Sequence, residues 1–388
     1  MRILQVHPLL RGDLINPVAG GKSRVSLQLT SYLAREGHTL SLFPYPERLF
    51  DVPRALRLPN GQTAALCATA VLPTRRTLTA DIVALARARL AARRLTGENG
   101  SFDVLALDAL RRALAEQQPE VVHCHHTFSD FPYLYRSLSA KAPLILTHHA
   151  YQPAVRIDTY DWIIFVSRRW QREVVERTGF PLERTRVIHN PVAEVFIRGT
   201  VAPAADRQGI AFLGNLIPRK GLLLLLQAYI ENRELRAHPL TVCGTGDAIG
   251  EYRALAARHN LPVEFRGRLS SEEVRQVLVR SRALVLPSQS EGFSVAMLEA
   301  LCSGTPVVGW ASQVEELGAV LSLPVGAGLE ADASPLNLAE SVLRVISQSR
   351  RGMVGSEDLA RQARAAFSIE QAGMATVRLY AEARAAVQ

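Results

Sequence analysis

The feature that most constrains this chain is a rhythm that runs twice. Short apolar runs of strand length, at 3–7, 40–43, 121–125, 144–147 and 162–166, alternate in the first half with longer amphipathic stretches such as 23–36. Alternation of this kind predicts a parallel sheet with helices on both faces. After Asn190-Pro191 and an Ala/Pro-rich stretch at 200–205, the pattern restarts. Apolar runs at 210–213, 240–243, 263–265 and 283–287 now alternate with helical stretches at 222–230 and 295–301. The composition shift places a linker near 192–208. The expected fold is therefore α/β: two Rossmann-like domains facing each other across a cleft, one at 1–192 and one at 208–368. A terminal helix over 369–388 follows from apolar residues at Met374, Val377, Tyr380, Ala381 and Ala385.

Length agrees with this division, since 388 residues exceed one ordinary core and suit two. A hydrophobic share of 48% with 21% charged residues is that of a globular chain. The start, Met1-Arg2-Ile3-Leu4-Gln5-Val6, reads as a strand rather than a signal peptide. No apolar run approaches the roughly 20 residues of a bilayer span, so a cytoplasmic protein is expected. Cys67, Cys124, Cys243 and Cys302 are far apart and form no CxxC pair, which reads as reduced core residues. The net charge of +9 calls for an anionic partner. Nearly all of that charge is arginine; the only lysines are Lys22, Lys141 and Lys220.

The sharpest chemical signal is Glu291-Gly292-Phe293-Ser294-Val295-Ala296-Met297-Leu298-Glu299-Ala300, after the apolar run 283–287 and the polar turn Ser288-Gln289-Ser290. Glu299 falls in an almost wholly apolar helix, where a carboxylate is costly unless something satisfies it. On one helix the two glutamates would lie roughly 12 Å apart, too far for a paired acid and base. They suit the two ends of one elongated ligand, with a helix N-terminus between them for a phosphate. A nucleotide diphosphate sugar has that layout: sugar at Glu291, pyrophosphate at the N–H groups of Phe293, Ser294, Val295 and Ala296, ribose at Glu299. Gly214-Asn215-Leu216-Ile217-Pro218-Arg219-Lys220-Gly221 follows the run 210–213 and opens a helix, giving close backbone approach and two cations for phosphate oxygens.

In the first half, Gly20-Gly21-Lys22-Ser23 opens a helix in a way that suits a phosphate or a sugar. It is not a Walker loop, which would need glycine at Asn16. His123, His125, His126, His148 and His149 gather at the ends of two strands, with His125 and His149 at the expected cleft edge. The cluster invites a metal reading, ranked below a sugar site because no cysteine or carboxylate shares its spacing. No Asp-x-Asp triplet occurs, so the expectation is no metal cofactor, with lysine, arginine and a helix N-terminus meeting the diphosphate instead.

Taken in order, several motifs resemble glycosyltransferase family 4, retaining enzymes of GT-B fold, over nearly the whole chain. They are Gly20-Gly21, Val122-His123-Cys124-His125, Thr147-His148-His149, Phe165-Val166-Ser167, Val187-Ile188-His189-Asn190-Pro191, Gly214 to Gly221, Gly244-Thr245-Gly246, Glu291 to Glu299, and Gly304-Thr305-Pro306-Val307-Val308. The resemblance implies that Glu291 contacts the transferred sugar, Glu299 the ribose hydroxyls and Lys220 the diphosphate, with His125 nearest the reacting sugar. It implies retaining transfer from a nucleotide diphosphate sugar, by default a uridine diphosphate sugar, to a hydroxyl acceptor that is a glycan, a lipid-linked glycan or a small molecule. Two departures stand out: Asn215 occupies the place of a family arginine, leaving Arg219 as its stand-in, and Trp310-Ala311-Ser312-Gln313 replaces a Gly-Gly loop. They motivate a rival reading as a catalytically idle partner subunit that binds a nucleotide sugar; a nucleotide-sugar epimerase is the third. Nucleic acid is not an expected partner, because aromatics are only 6% of the chain and no stacking cluster accompanies the arginines. The basic amphipathic stretch 75–95 reads as a solvated helix face, with peripheral contact on the inner, anionic face of a membrane as the alternative.

Overall fold

A computed structural model describes residues 1–7, 21–44, 55–57, 63–66, 104–125, 131–138, 140–149, 157–288, 291–351 and 357–387. The chain forms two compact units, Met1–His189 with Ala372–Gln388, and Asn190–Gln371. Gly20, His126, Cys67 and the basic stretch 75–95 lie outside the described residues. No helix among the described residues is long and apolar enough to cross a membrane.

The first unit holds an eight-stranded sheet of order β3-β4-β2-β1-β5-β6-β7-β8. Its strands are β1 (Arg2–His7), β2 (Thr39–Pro44), β3 (Ala55–Arg57), β4 (Thr63–Leu66), β5 (Val121–Cys124), β6 (Leu144–His148), β7 (Trp162–Phe165) and β8 (Thr185–Val187). All the pairings are parallel except β3 with β4. Every residue of β5 and β6 is buried, as expected where helices cover both faces of a parallel sheet. Leu4, Val122, Phe131, Leu146, Ile163 and Phe165 are central to the core beneath.

The second unit repeats the plan with six strands in the order β11-β10-β9-β12-β13-β14. They are β9 (Ile210–Leu213), β10 (Leu240–Cys243), β11 (Val263–Gly267), β12 (Ala283–Val285), β13 (Val307–Trp310) and β14 (Gly326–Leu329), all parallel. Relabelled from its first strand, this is the 3-2-1-4-5-6 order of a doubly wound fold, and the order reverses between β9 and β12. Crossovers run in opposite directions from that point and leave a crevice at the carboxyl ends of those two strands. In the first sheet the corresponding point lies between β1 and β5, where the His125 N–H donates to the Val6 carbonyl at 3.0 Å.

Two segments sit differently from the simplest reading of the sequence. The stretch expected as a linker, 192–208, lies wholly in the second unit. Its Val192 N–H donates to the Phe367 carbonyl at 3.0 Å, Phe196 is fully buried, and Arg207 is 2% exposed. Arg207 fans its guanidinium over neutral acceptors: Nη1 donates to Thr305 Oγ1 at 2.8 Å and to the Ser281 carbonyl at 3.3 Å, Nη2 to the Ser303 carbonyl at 3.1 Å, and Nε to the Ala202 carbonyl at 3.2 Å. Burial lowers its pKa to about 10, still charged at neutral pH. The last helix, Ile369–Ala385, belongs to the first unit from Ala372 onward. Its buried face is Ala372, Gly373, Thr376, Leu379, Tyr380 and Ala383, whereas Met374, Ala381 and Ala385 of the expected stripe are exposed. Small residues choose that face, because a Cβ at Gly373 would stand 2.2 Å from the Tyr32 ring.

Arg207 is thus a structural clamp, and removing it strands buried carbonyls that cost about 1–3 kcal/mol each when unmade. Arg207→Met is expected to lower stability by about 3 kcal/mol in urea unfolding, and Arg207→Lys to recover only part of it, because an ammonium lacks the planar fork. A Met variant as stable as the parent would show that the clamp is not needed.

Candidate functional site

The site of the second unit begins with two loops that the strand order forces side by side. After β9 the chain runs through Gly214 and a short turn, Pro218–Lys220, before the helix Leu222–Glu231 starts at Gly221. After β12 it passes Leu286, Pro287 and Ser288 to Glu291 and then enters the helix Val295–Cys302. Contact between these loops is at backbone distance. Gly221 has φ +77, and a Cβ there would lie 2.2 Å from the Pro287 carbonyl oxygen. The loop after β10 closes in from the other side, where a Cβ on Gly244 would lie 1.8 Å from the Gly214 oxygen. Only glycine permits both approaches.

This crowding brings Lys220, Glu291 and Ser288 together. The Lys220 ammonium pairs with Glu291 Oε1, and the Ser288 hydroxyl donates to the same oxygen at 2.8 Å. Lys220 and Glu291 are 14% and 15% exposed, so the pair is shielded but reachable. Arg219 Nη1 stands 4.0 Å from that oxygen with its side chain 52% exposed, a second cation at the rim. The sequence singled out Arg219, Lys220 and Glu291. It passed over the role of Ser288, although a hydroxyl three residues before a glutamate in a polar turn is the signal that finds it. Asn215, in the place of a family arginine, is exposed and brings no charge.

The helix Val295–Cys302 opens beside this cluster, with Ser294 as an N-cap whose side chain makes no capping hydrogen bond. N–H groups of a first helical turn have no partner within the helix and carry its positive dipole end. Asn190 Nδ2 donates to the Phe293 carbonyl at 3.0 Å and fixes the entry to the helix. Glu299 is 4% exposed, one turn before the C-terminus of this apolar helix. β13 ends at Trp310, whose indole Nε1 is buried without a hydrogen-bond partner, as is Gln313 Oε1 one turn on. The described cysteines supply no nucleophile: Cys124, Cys243 and Cys302 are buried and free, and burial pushes the Cys243 thiol up to about 12.

In the first unit Gly21 opens the helix Gly21–Arg35, and the histidines divide by strand alternation. His123 and His125 share one face, their rings 4.1 Å apart, and Thr147 and His149 share the facing side of β6, with the His125 and His149 rings 6.4 Å apart and stacked. His148 points to the opposite face, against Phe165 at 5.5 Å and Trp170 at 6.2 Å between centroids. His125 is 2% exposed and His149 intermediate. The four described histidines of the cluster are therefore not one constellation. Among the described residues no group of three or more His, Cys, Asp or Glu side chains is placed to hold a metal ion.

Comparison with known proteins agrees with this plan. A family model described as Glycosyltransferase Family 4 matches residues 19–194, and one described as Glycosyl transferases group 1 matches residues 207–348. An uncharacterized glycosyltransferase of Methanocaldococcus jannaschii, MJ1607, is 24% identical over 263 residues, 59% of this chain and 66% of the relative, just under two thirds of that protein's length. Among solved structures, sucrose-phosphate synthase from Thermosynechococcus elongatus superposes with a TM-score of 0.71 at 19% identity over 99% of each chain. Anabaena HepE in complex with UDP gives 0.69 at 14% identity, over 98% of this chain and 100% of that one. These likenesses show the GT-B fold. With one family model over each half and that fold in common, the chain belongs to glycosyltransferase family 4, with a group 1 glycosyltransferase domain as its second half.

Proposed function

We propose that the protein is a retaining glycosyltransferase that moves a sugar from a nucleotide diphosphate sugar to an acceptor hydroxyl without a metal ion. The observation that carries this reading is the Lys220–Glu291 pair, with Ser288 and Arg219, at the strand-order reversal of the second sheet and beside a helix N-terminus. A crevice at such a reversal is where doubly wound folds take their ligands. Its cations and helix N-terminus suit a diphosphate, and its carboxylate suits sugar hydroxyls. Uridine diphosphate is the donor nucleotide we favour, since HepE was crystallised with UDP and with UDP-glucose.

In this mechanism the bond between the anomeric carbon and the diphosphate oxygen breaks, and its electron pair leaves with the phosphate. The acceptor oxygen bonds to the same face of that carbon, and its proton passes to the departing phosphate oxygen. Lys220, Arg219 and the N–H groups of Phe293, Ser294, Val295 and Ala296 stabilise the growing charge, which is electrostatic catalysis by preorganised donors. The donor diphosphate draws Lys220 away from Glu291, and Glu291 turns to the sugar hydroxyls. Glu299 holds the ribose. His125 faces the transferred sugar, with Gly21 assigned to the donor and His149 to the acceptor side. A thermal-shift screen of nucleoside diphosphates and their sugars tests the donor, because ligand at 100 times its Kd stabilises by about 2.7 kcal/mol. Stabilisation without any release of nucleotide would favour the idle binding subunit, a reading that the missing cation at Asn215 keeps open.

Turnover is expected to survive EDTA, since protein cations take the place of a metal; loss on chelation and recovery with manganese would overturn that.

The charges should also divide binding from chemistry. Lys220 meets charge that grows in the transition state, so Lys220→Ala is expected to lower kcat about 100- to 1000-fold. Glu299 meets ribose equally in both states, so Glu299→Ala should raise the donor KM roughly tenfold and spare kcat. Steady-state kinetics of the two variants with the reverse pattern would mean that the donor lies the other way along the helix.

A further inference from the structure

Behind His125 lies a buried hydrogen-bonded chain that the proposed function does not use. His123 is fully buried, and both of its ring nitrogens are engaged by hydroxyls: Nδ1 with Tyr380 OH at 2.6 Å, and Nε2 with Thr147 Oγ1 at 2.7 Å. Tyr380 comes from the last helix, lies fully buried, and meets the His123 ring edge-on at 5.6 Å between centroids. Burial pushes its phenol well above the usual range, so it stays a neutral hydroxyl at all working pH values. The other face of the same imidazole is covered by His125, whose ring centre is 4.1 Å away.

Two hydroxyls at opposite corners of an imidazole remove its freedom to rotate. A lone hydrogen bond fixes one corner and leaves the ring a pivot; two fix its plane. We propose that Tyr380 and Thr147, through His123, are positioning residues for His125, so that the chain's final helix sets the orientation of the imidazole on the acceptor-side unit. The inference rests on the proposed role of His125 for its catalytic consequence, though not for the geometry itself. Without the Tyr380 hydroxyl, the buried His123 Nδ1 loses its partner and the ring re-seats. His125 then loses the surface that it rests on. Displacements of an ångström at a reacting group cost up to about 100-fold in rate, while donor affinity, set by Lys220 and Glu291 on the other unit, is untouched.

The test uses the full chain with isotopically labelled histidine. In Tyr380→Phe and in Thr147→Val, each near-isosteric, the His125 ring signals are expected to shift or broaden; Met374→Leu, on the exposed side of the same helix, should leave them in place. Unmoved His125 signals in both network variants overturn the proposal. Release of UDP from UDP-glucose gives the second arm. Tyr380→Phe should lower kcat about tenfold with the donor KM within about twofold, and should add no further loss in a His125→Ala background. Multiplied losses in the double variant would mean that Tyr380 acts through stability alone and would overturn the proposal. If His125→Ala by itself leaves turnover unchanged, the assignment of His125 in the proposed function fails, and the ring signals still decide whether Tyr380 and Thr147 position it.

Discussion

The second unit depends on the reversal of strand order at β9. Had β12 been laid down beyond β11, the loops after β9 and β12 would have been separated by two strands, and Lys220 would not reach Glu291. With β12 against the other edge of β9, the two loops share one crevice and pack so tightly that glycine is required where they touch, at Gly221 against Pro287, while the loop after β10 meets the first of them at Gly244 against Gly214. Topology brings the charges together before any side-chain preference acts. The glycines then set how close the charged groups come to the backbone N–H groups of the helix Val295–Cys302.

The unit's buried charges answer to two different logics. Arg207 has no carboxylate among the partners described above; it donates to three carbonyls and a hydroxyl, which satisfies its protons while burial still pulls its pKa down. Such a charge costs desolvation and is retained because its fork joins segments around Ala202, Ser281 and Ser303 that are distant in sequence. Lys220 and Glu291 are the contrary case, a mutually neutralised pair left 14% and 15% exposed. An incoming anion can take over the lysine at modest cost, because neither partner is sealed away from solvent. Exposure separates the structural cation from the one that an anion can reach, and side-chain type does not.

How much of this was legible follows from which forces act locally. The central strands of both sheets show as apolar runs, since strands covered on both faces carry that signature. β14, with the sequence Gly-Ala-Gly-Leu, is invisible to such a reading because its place comes from pairing with β13 rather than from propensity. Glu299 was legible because a carboxylate in an apolar helix violates a local rule, and the structure buries it at 4% exposure. Arg207 was not: one arginine in an Ala/Pro-rich stretch resembles a solvated linker until its carbonyl partners arrive from residues 281 and 303. The terminal helix was readable in period and not in phase. Hydrophobicity pointed to Met374 and Ala385, but close packing selected Gly373 and Ala383, whose size matters more than their polarity. The histidine cluster was split by pleat geometry that a list of neighbouring histidines does not contain.

The return of the last helix also constrains how the first unit is assembled. Its sheet is complete at β8, yet Tyr380 must reach His123 across 257 residues, past the whole second unit. Contacts of such separation form late, because the loop entropy is met before the contact repays it. On a ribosome that releases the N-terminal half first, His123 and Thr147 wait in a partly built core until the end of the chain is made. A folded second unit shortens the effective loop, since Asn190 and Gln371 bound one compact body rather than 182 free residues. Folding of the second unit therefore favours docking of Tyr380 by lowering its entropic cost, which couples the assembly of the histidine pair in one unit to the integrity of the other through chain connectivity.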